Sequence, residues 1–220
     1  MPYNKRYRKR AVRRRRPVRR TRKPTVASIN RKVMKIQKAI EWKHLDTFQD
    51  TPVSLSPFIY GLTNPVQGLF STDRIGDKIT TSSIQLRFQI DQADSAYNFM
   101  RVCVFRQRDL NHPSLLLDAN TFFNTGSGSQ AALPTLWQYN LSYFRNSSAK
   151  VVMDKIFKVQ NSNNNNAKYF QIKIPYRRNI QYEDGTLRQN EQLILFAVSD
   201  STAASHPTLS ITTRLNYCDL

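Results

Sequence analysis

Residues 84–90 read Ile84-Gln85-Leu86-Arg87-Phe88-Gln89-Ile90, with an apolar side chain at every second position and a polar one between. A period of two puts the four apolar residues on one face of an extended chain and the three polar ones on the other, the pattern of a strand packed on one side and wetted on the other. The same reading extends outward in both directions. Phe170, Ile172, Ile174 and Tyr176 alternate with Gln171, Lys173 and Pro175, and Leu209, Ile211, Thr213, Leu215 and Tyr217 alternate with Ser210, Thr212, Arg214 and Asn216. Val151, Met153, Phe157 and Val159 share one face of a further strand. Residues 99–105 and 193–198 are apolar on nearly both faces, which predicts central strands covered on each side. Shorter segments at 43–48, 53–60 and 137–144 bring the number to about eight or nine, as a jelly roll requires. The predicted fold class is all-β: a single eight-stranded jelly roll, a Greek-key β-sandwich.

The connections are long and polar rather than tight hairpins, which suits Greek-key crossings better than an up-and-down meander. Residues 111–134 hold Leu115-Leu116-Leu117-Asp118, a short helical turn, followed by Gly126-Ser127-Gly128-Ser129. Residues 161–166 are Asn except for Ser162, and so many amides predict an exposed loop. No internal repeat is present.

Charge divides the chain. Residues 1–38 carry seventeen Lys or Arg and no Asp or Glu, which leaves seventeen bases to face all fifteen acids in the remainder. The formal +19 is therefore +17 in an arm and +2 elsewhere. So dense a cationic run repels itself and has little to bury, so it is expected to stay disordered until a polyanion neutralises it. The predicted division is a nucleic-acid-binding arm over residues 1–40 and a shell-like domain over 41–220, whose roughly 180 residues suffice for one core.

The arm has two parts. Tyr3 to Lys23 has no core-facing stripe; its bases are Lys5, Arg6, Arg8, Lys9, Arg10, Arg13, Arg14, Arg15, Arg16, Arg19, Arg20, Arg22 and Lys23. A nuclear localisation signal needs about five to eight residues, so this run exceeds it and reads as bulk phosphate neutralisation, with nuclear import a second use of the same charges. Tyr3 and Tyr7 either stack on unpaired bases or merely space the tail. From Val26 the spacing changes: Val26, Ile29, Val33, Ile36 and Ile40 fall on one stripe of a helix over about residues 26–40. Pro24 precedes it, and Thr25 or Ser28 supplies the cap. Arg31, Lys32, Lys35 and Lys38 lie on the other face. Two readings of that amphipathic helix stand: it docks on the domain, or arms from neighbouring subunits bundle through their apolar stripes while their basic faces meet nucleic acid.

Clustered arginines bind phosphate without reading bases. The planar guanidinium forms paired hydrogen bonds to phosphate oxygens, and the release of condensed counterions supplies a sequence-independent, salt-sensitive driving force. Catalytic signatures are missing: no GxSxG elbow, P-loop, HExxH or calcium-loop spacing occurs, and His44, His112 and His206 are far apart with no paired cysteine. The expectation is no enzyme, no metal and no cofactor. Cys103 and Cys218 form no CxxC pair, so neither a disulfide framework nor a zinc site is predicted. No run approaches the roughly 18 apolar residues of a membrane span. A mitochondrial presequence would also be basic and acid-free, but richer in Ser and amphipathic from its start. Without secretion, the sequons at Asn140 and Asn146 are incidental.

Several short stretches resemble one family. An arm opening Met1-Pro2-Tyr3 with Arg-rich runs, then Glu41 and Lys43, Arg74-Ile75-Gly76-Asp77-Lys78-Ile79, Arg101-Val102-Cys103-Val104-Phe105, Met153-Asp154 before Phe157, and Arg214-Leu215-Asn216-Tyr217 with Asp219, is similar to the capsid proteins of small circular, Rep-encoding single-stranded DNA viruses, circoviruses and their relatives. Within that group it resembles the subset whose shell domain is like the coat of satellite tobacco necrosis virus. It differs from the true circoviruses in its regular helical stripe at residues 25–40. The resemblance implies one jelly roll per subunit, assembly into a closed icosahedral T=1-like shell, and nuclear entry through the arm. The plant satellite virus encloses RNA, so DNA over RNA follows from the arm and the motif set rather than from the shell.

The expected partners are further copies of the chain, single-stranded nucleic acid and nuclear import receptors, and the expected locations are the virion and the host nucleus. Sixty arms of +17 would supply roughly a thousand charges, enough to neutralise most of a genome of about one to two thousand nucleotides. The alternatives are a cellular nucleic-acid-binding protein with a basic tail, and a nucleic-acid enzyme, which would need a carboxylate-metal site that the sequence does not display.

Overall fold

The structure is a computed structural model and describes residues 25, 26, 28, 29, 32, 42–92, 97–108, 119–126, 133–146, 149–159, 167–183, 190–202 and 206–219. The chain divides after Ile40 into two units. In the first, Val26, Ser28, Ile29 and Lys32 are helical. Thr25 is the cap: its Oγ1 accepts the Ser28 amide at 3.3 Å, and its carbonyl accepts the Ile29 amide at 3.0 Å. Val33, Ile36 and Ile40 of the predicted stripe lie outside the described residues.

The second unit contains ten strands among the described residues: β1 (Lys43–Pro52), β2 (Phe58–Gly61), β3 (Lys78–Asp91), β4 (Asn98–Gln107), β5 (Phe123–Asn124), β6 (Gln138–Tyr139), β7 (Lys150–Val159), β8 (Ala167–Gln181), β9 (Gln192–Ser199) and β10 (Thr208–Asp219). Two four-stranded antiparallel sheets, ordered β1-β10-β3-β8 and β2-β9-β4-β7, face each other. β5 and β6 form a separate ribbon. The pairings are nested, β1 with β10, β2 with β9, β3 with β8 and β4 with β7, as though one long ribbon had been rolled up with its tip between β4 and β7. That is the jelly roll, and its first and last strands pair with each other.

The alternation read at residues 84–90 is the core of β3. Ile84, Leu86, Phe88 and Ile90 are buried between the sheets, with Ile174 and Tyr176 from β8, Leu209, Ile211 and Leu215 from β10, and Met100, Val102 and Val104 from β4. Each such burial stabilises by about 1.5–3 kcal/mol relative to exposure. The doubly apolar runs are β4 and β9, the central pair of their sheet. Their outer residues Cys103, Phe105, Ile194, Phe196 and Val198 form a second cluster with Phe122, Phe123 and Trp137 from the segment between β4 and β7. That segment is the cover that periodicity alone implied.

Three expectations need correction. Residues 137–144 yield only the two-residue β6, after which Leu141–Asn146 is helical. Asn140 starts that helix, its Oδ1 accepting the Tyr143 amide at 3.2 Å, and the turn brings Tyr143 and Phe144 onto the second cluster. Of residues 53–60, only those from Phe58 form a strand, because Ser54 turns the chain by accepting the Ser56 amide at 3.1 Å, ahead of Pro57. Val151 is exposed although it was placed on the inner face, because the register of β4 against β7 shifts between Val104 and Phe105. Leu115 to Asp118, Ser127 to Ser129 and the Asn-rich run 161–166 lie outside the described residues.

Candidate nucleic-acid interface

Of the seventeen bases assigned to nucleic-acid binding, Lys32 alone is described; it is helical and exposed. The other sixteen lie outside the described residues. What the structure shows in detail is the start of the β domain. Edge strand β1 begins at Lys43, whose Nζ lies 2.7 Å from Asp219 Oδ2 and donates to the Asp73 carbonyl at 3.0 Å. Asp219 Oδ1 in turn accepts the Ile75 amide at 3.3 Å, and the Tyr217 hydroxyl donates to the Thr72 carbonyl at 2.6 Å. Arg74, 1% exposed, donates through Nη1 to the Gly76 carbonyl at 2.7 Å and to Asp77 at 3.1 Å, with its guanidinium 4.3 Å over the Tyr182 ring.

Lys43, Arg74, Asp77, Tyr217 and Asp219 are scattered in sequence among the stretches that carry the family resemblance. The fold gathers them into one bolt that fixes the root of β1. Burial, with the charges of Asp219 and Asp73, pushes the Tyr217 phenol up to about 12, so it remains a hydrogen-bond donor at neutral pH. The role of this cluster is structural: it anchors the strand from which the arm departs.

The outer face of the β1-β10-β3-β8 sheet is polar. Register places Asp46, Arg214, Gln85 and Lys173 in one row across the four strands and Phe48, Thr212, Arg87 and Gln171 in the next. Arg214 binds Asp46 through two hydrogen bonds of 2.7 and 2.6 Å, which hold the Asp46 carboxyl below the usual range. With Asp50 in a neighbouring row, three bases meet two acids. Counterion release scales with the number of phosphates neutralised, so these three rows, at net +1, offer little grip on a polyanion.

A third cluster lies beneath the segment between β4 and β7. Arg101 on β4 makes a bidentate pair with Asp154 on β7, at 3.0 and 2.6 Å, and donates through Nη1 to the carbonyls of Pro134 and Trp137 at 3.0 and 2.7 Å. The Tyr139 hydroxyl and the Cys103 thiol also donate to Asp154. Burial pushes the Asp154 carboxyl up, but hydrogen bonds from Arg101 and Tyr139 outweigh it and leave the group below its ordinary value. Burial and the Asp154 charge drive the Cys103 thiol well above its ordinary value. A nucleophilic cysteine needs the opposite shift, so this cluster is a clamp that holds the segment to the sheet. The sequence quoted Arg101 and Asp154 within separate motifs; only the register of β4 on β7 brings them together.

The sequence reading also missed an exposed apolar surface. Leu69 and Phe70, 98% and 78% exposed, crown the loop between β2 and β3, with Val66 and Ile75 exposed beside them. The loop is held by the Gly68 amide donating to the Arg74 carbonyl at 3.1 Å and the Arg74 amide donating to the Val66 carbonyl at 3.0 Å. Among the described residues no group of three or more His, Cys, Asp or Glu is arranged to hold a metal, and no helix is long and apolar enough to cross a membrane.

No protein-family model and no curated protein matches the chain. Among solved structures, the chain is similar to that of tomato aspermy virus, determined by X-ray crystallography, at 11% identity over 88% of this chain and 95% of that one, with a TM-score of 0.31. A likeness at that score carries no argument about what this chain does.

Proposed function

We propose that the chain is a viral coat subunit, related to those of circovirus-like single-stranded DNA viruses, that assembles in about sixty copies into a T=1-like icosahedral shell and packages the genome through its arm. The reading rests on one observation: a jelly roll of near-neutral charge is joined, at the bolted root of its edge strand, to an arm of seventeen bases and no acid. The arm supplies the non-specific grip on phosphate, and the same bases address the protein to the nucleus before assembly. The sandwich supplies the contacts between copies, for which the apolar crown at Leu69 and Phe70 on its hydrogen-bonded loop is the foremost surface.

Negative-stain microscopy of the purified full-length protein, with and without nuclease, tests the reading. Uniform spheres whose contents are lost on nuclease treatment after mild opening are the expected result. A soluble monomer at micromolar concentration and physiological salt overturns it in favour of a cellular nucleic-acid-binding protein with a basic tail.

A further inference from the structure

Near one end of the sandwich an arginine stands in the core-facing alternation of each of two strands. Along β4 the residues between the sheets run Met100, Val102 and Val104, followed in the alternation by Arg106. Along β8 they run Ile172, Ile174 and Tyr176, then Arg178, before the core resumes at Ile180. Where β7 and β8 part at this edge lies a cavity of about 340 Å³, lined by Arg106, Arg177 and Arg178 with Val152, Ile174 and Tyr176.

Glu191, its side chain 8% exposed, is ion-paired with Arg106 and Arg178 of this wall and with Arg108. It lies 2.6 Å from Arg108 Nε, 3.0 Å from Arg178 Nε and 3.8 Å from Arg106 Nε. Three guanidinium groups lie against that carboxylate, and Arg177 adds a further one on the cavity wall. One buried donor on the wall, Arg106 Nε–H, has no hydrogen-bond partner among the described residues. Burial and the Glu191 charge hold the Tyr176 phenol above its ordinary range, so it stays a donor at neutral pH.

Clustered guanidinium groups at the mouth of a core repel one another, and a tetrahedral oxyanion with several acceptor oxygens relieves that repulsion better than a second carboxylate with two. We propose that this cleft is a phosphate-binding site that takes one backbone phosphate of the nucleic acid held by the arm. The source of the phosphate rests on the packaging role proposed above; the site itself does not. Topology supports that source. The pairing of Lys43 with Tyr217 and of Lys78 with Gln181 puts the root of β1 and the end of β8 at the same end of the sandwich. They are three strand spacings apart, about 14 Å.

Inorganic phosphate titrated into the full-length protein by calorimetry tests the site, alongside Arg177→Gln and the double variant Arg177→Gln/Arg178→Gln. Saturable uptake of one phosphate per chain is expected above the weak, unsaturable binding of the arm. Affinity should fall about threefold in Arg177→Gln, a surface change that leaves the melting temperature in place, and at least tenfold in the double variant. A ten-residue oligodeoxythymidylate should compete for that phosphate, and the slope of its log affinity against log salt should fall by about 0.7 in the double variant, for one lost phosphate of a single strand. Absence of a saturable phosphate, or equal affinity in all three proteins, overturns the proposal. Saturable phosphate without competition by the oligonucleotide overturns its assignment to the strand. Unchanged phosphate uptake with lost particle formation would mean that the arginines hold a neighbouring subunit's carboxylate, and also overturns it. A chain that takes phosphate at this cleft but forms no particles sinks the capsid reading and leaves the site standing.

Discussion

Arg101 and Asp154 are each the other's compensation within the sandwich. Asp154→Asn strands a buried guanidinium beneath the β5–β6 ribbon, and a loss of about 2–3 kcal/mol in urea unfolding is expected after allowing for the partial exposure of the carboxylate. Replacing both, as Arg101→Met with Asp154→Leu, should recover most of that loss, since no charge is then left unpaired. The acid dependence follows from the lowered carboxyl of Asp154. A carboxyl held lower in the folded than in the unfolded chain contributes stability that is fully present above the unfolded value, about 3.9, and is lost as pH falls through the folded one. Melting temperature should therefore be insensitive to this pair between pH 5 and pH 8, by the same argument, and decline below about pH 4; the decline should be shallower in Asp154→Asn. Neither residue was legible as a partner of the other in the sequence, where 53 positions separate them.

At the scale of elements, the strands that alternate cleanly were read correctly because their pattern reports a single boundary between core and water. β3, β8 and β10 are of this kind, and Leu86→Ala in β3 is expected to cost 2–5 kcal/mol, measured by denaturant unfolding, as a cavity opens between the sheets. Residues 137–144 were misread because a short apolar run has no period of its own and Asn140 supplies a helix start that only the folded segment uses. The loop crowned by Leu69 and Phe70 had no signal at all, since nothing in a linear pattern says that two apolar residues will be left outside. The double change Leu69→Asp/Phe70→Asp should leave the melting temperature within about 2 °C, because neither side chain is packed in the subunit, and should shift sedimentation from particles to subunits. Particles of unaltered stability would remove this loop from the assembly surface.

For the whole molecule, the division of charge sets the experiment. Removing residues 1–38 takes away +17 and leaves the bolt at Lys43 and the β1–β10 pairing intact, so a folded β domain is expected by circular dichroism, with particles that retain no nucleic acid by absorbance ratio. Loss of the fold on that truncation counts against the division itself. The full-length protein should lose affinity for single strands steeply between 50 and 200 mM salt, by about 10³-fold or more, for an arm that neutralises many phosphates.

By itself the sequence determined the all-β class, the two central strands covered on both faces and the seat of the positive charge. Each of these is written in local periodicity or composition, and short-range sterics and charge repulsion act on neighbours in the chain. Only the tertiary structure decided the nested order of the strands, the bolt of Lys43, Arg74, Tyr217 and Asp219, the clamp of Arg101 on Asp154, and the three arginines around Glu191. Those depend on which strand lies beside which, and the pairings of β1 with β10 and of β4 with β7 join residues 44 to 174 positions apart, a distance at which one linear pattern holds no information about another.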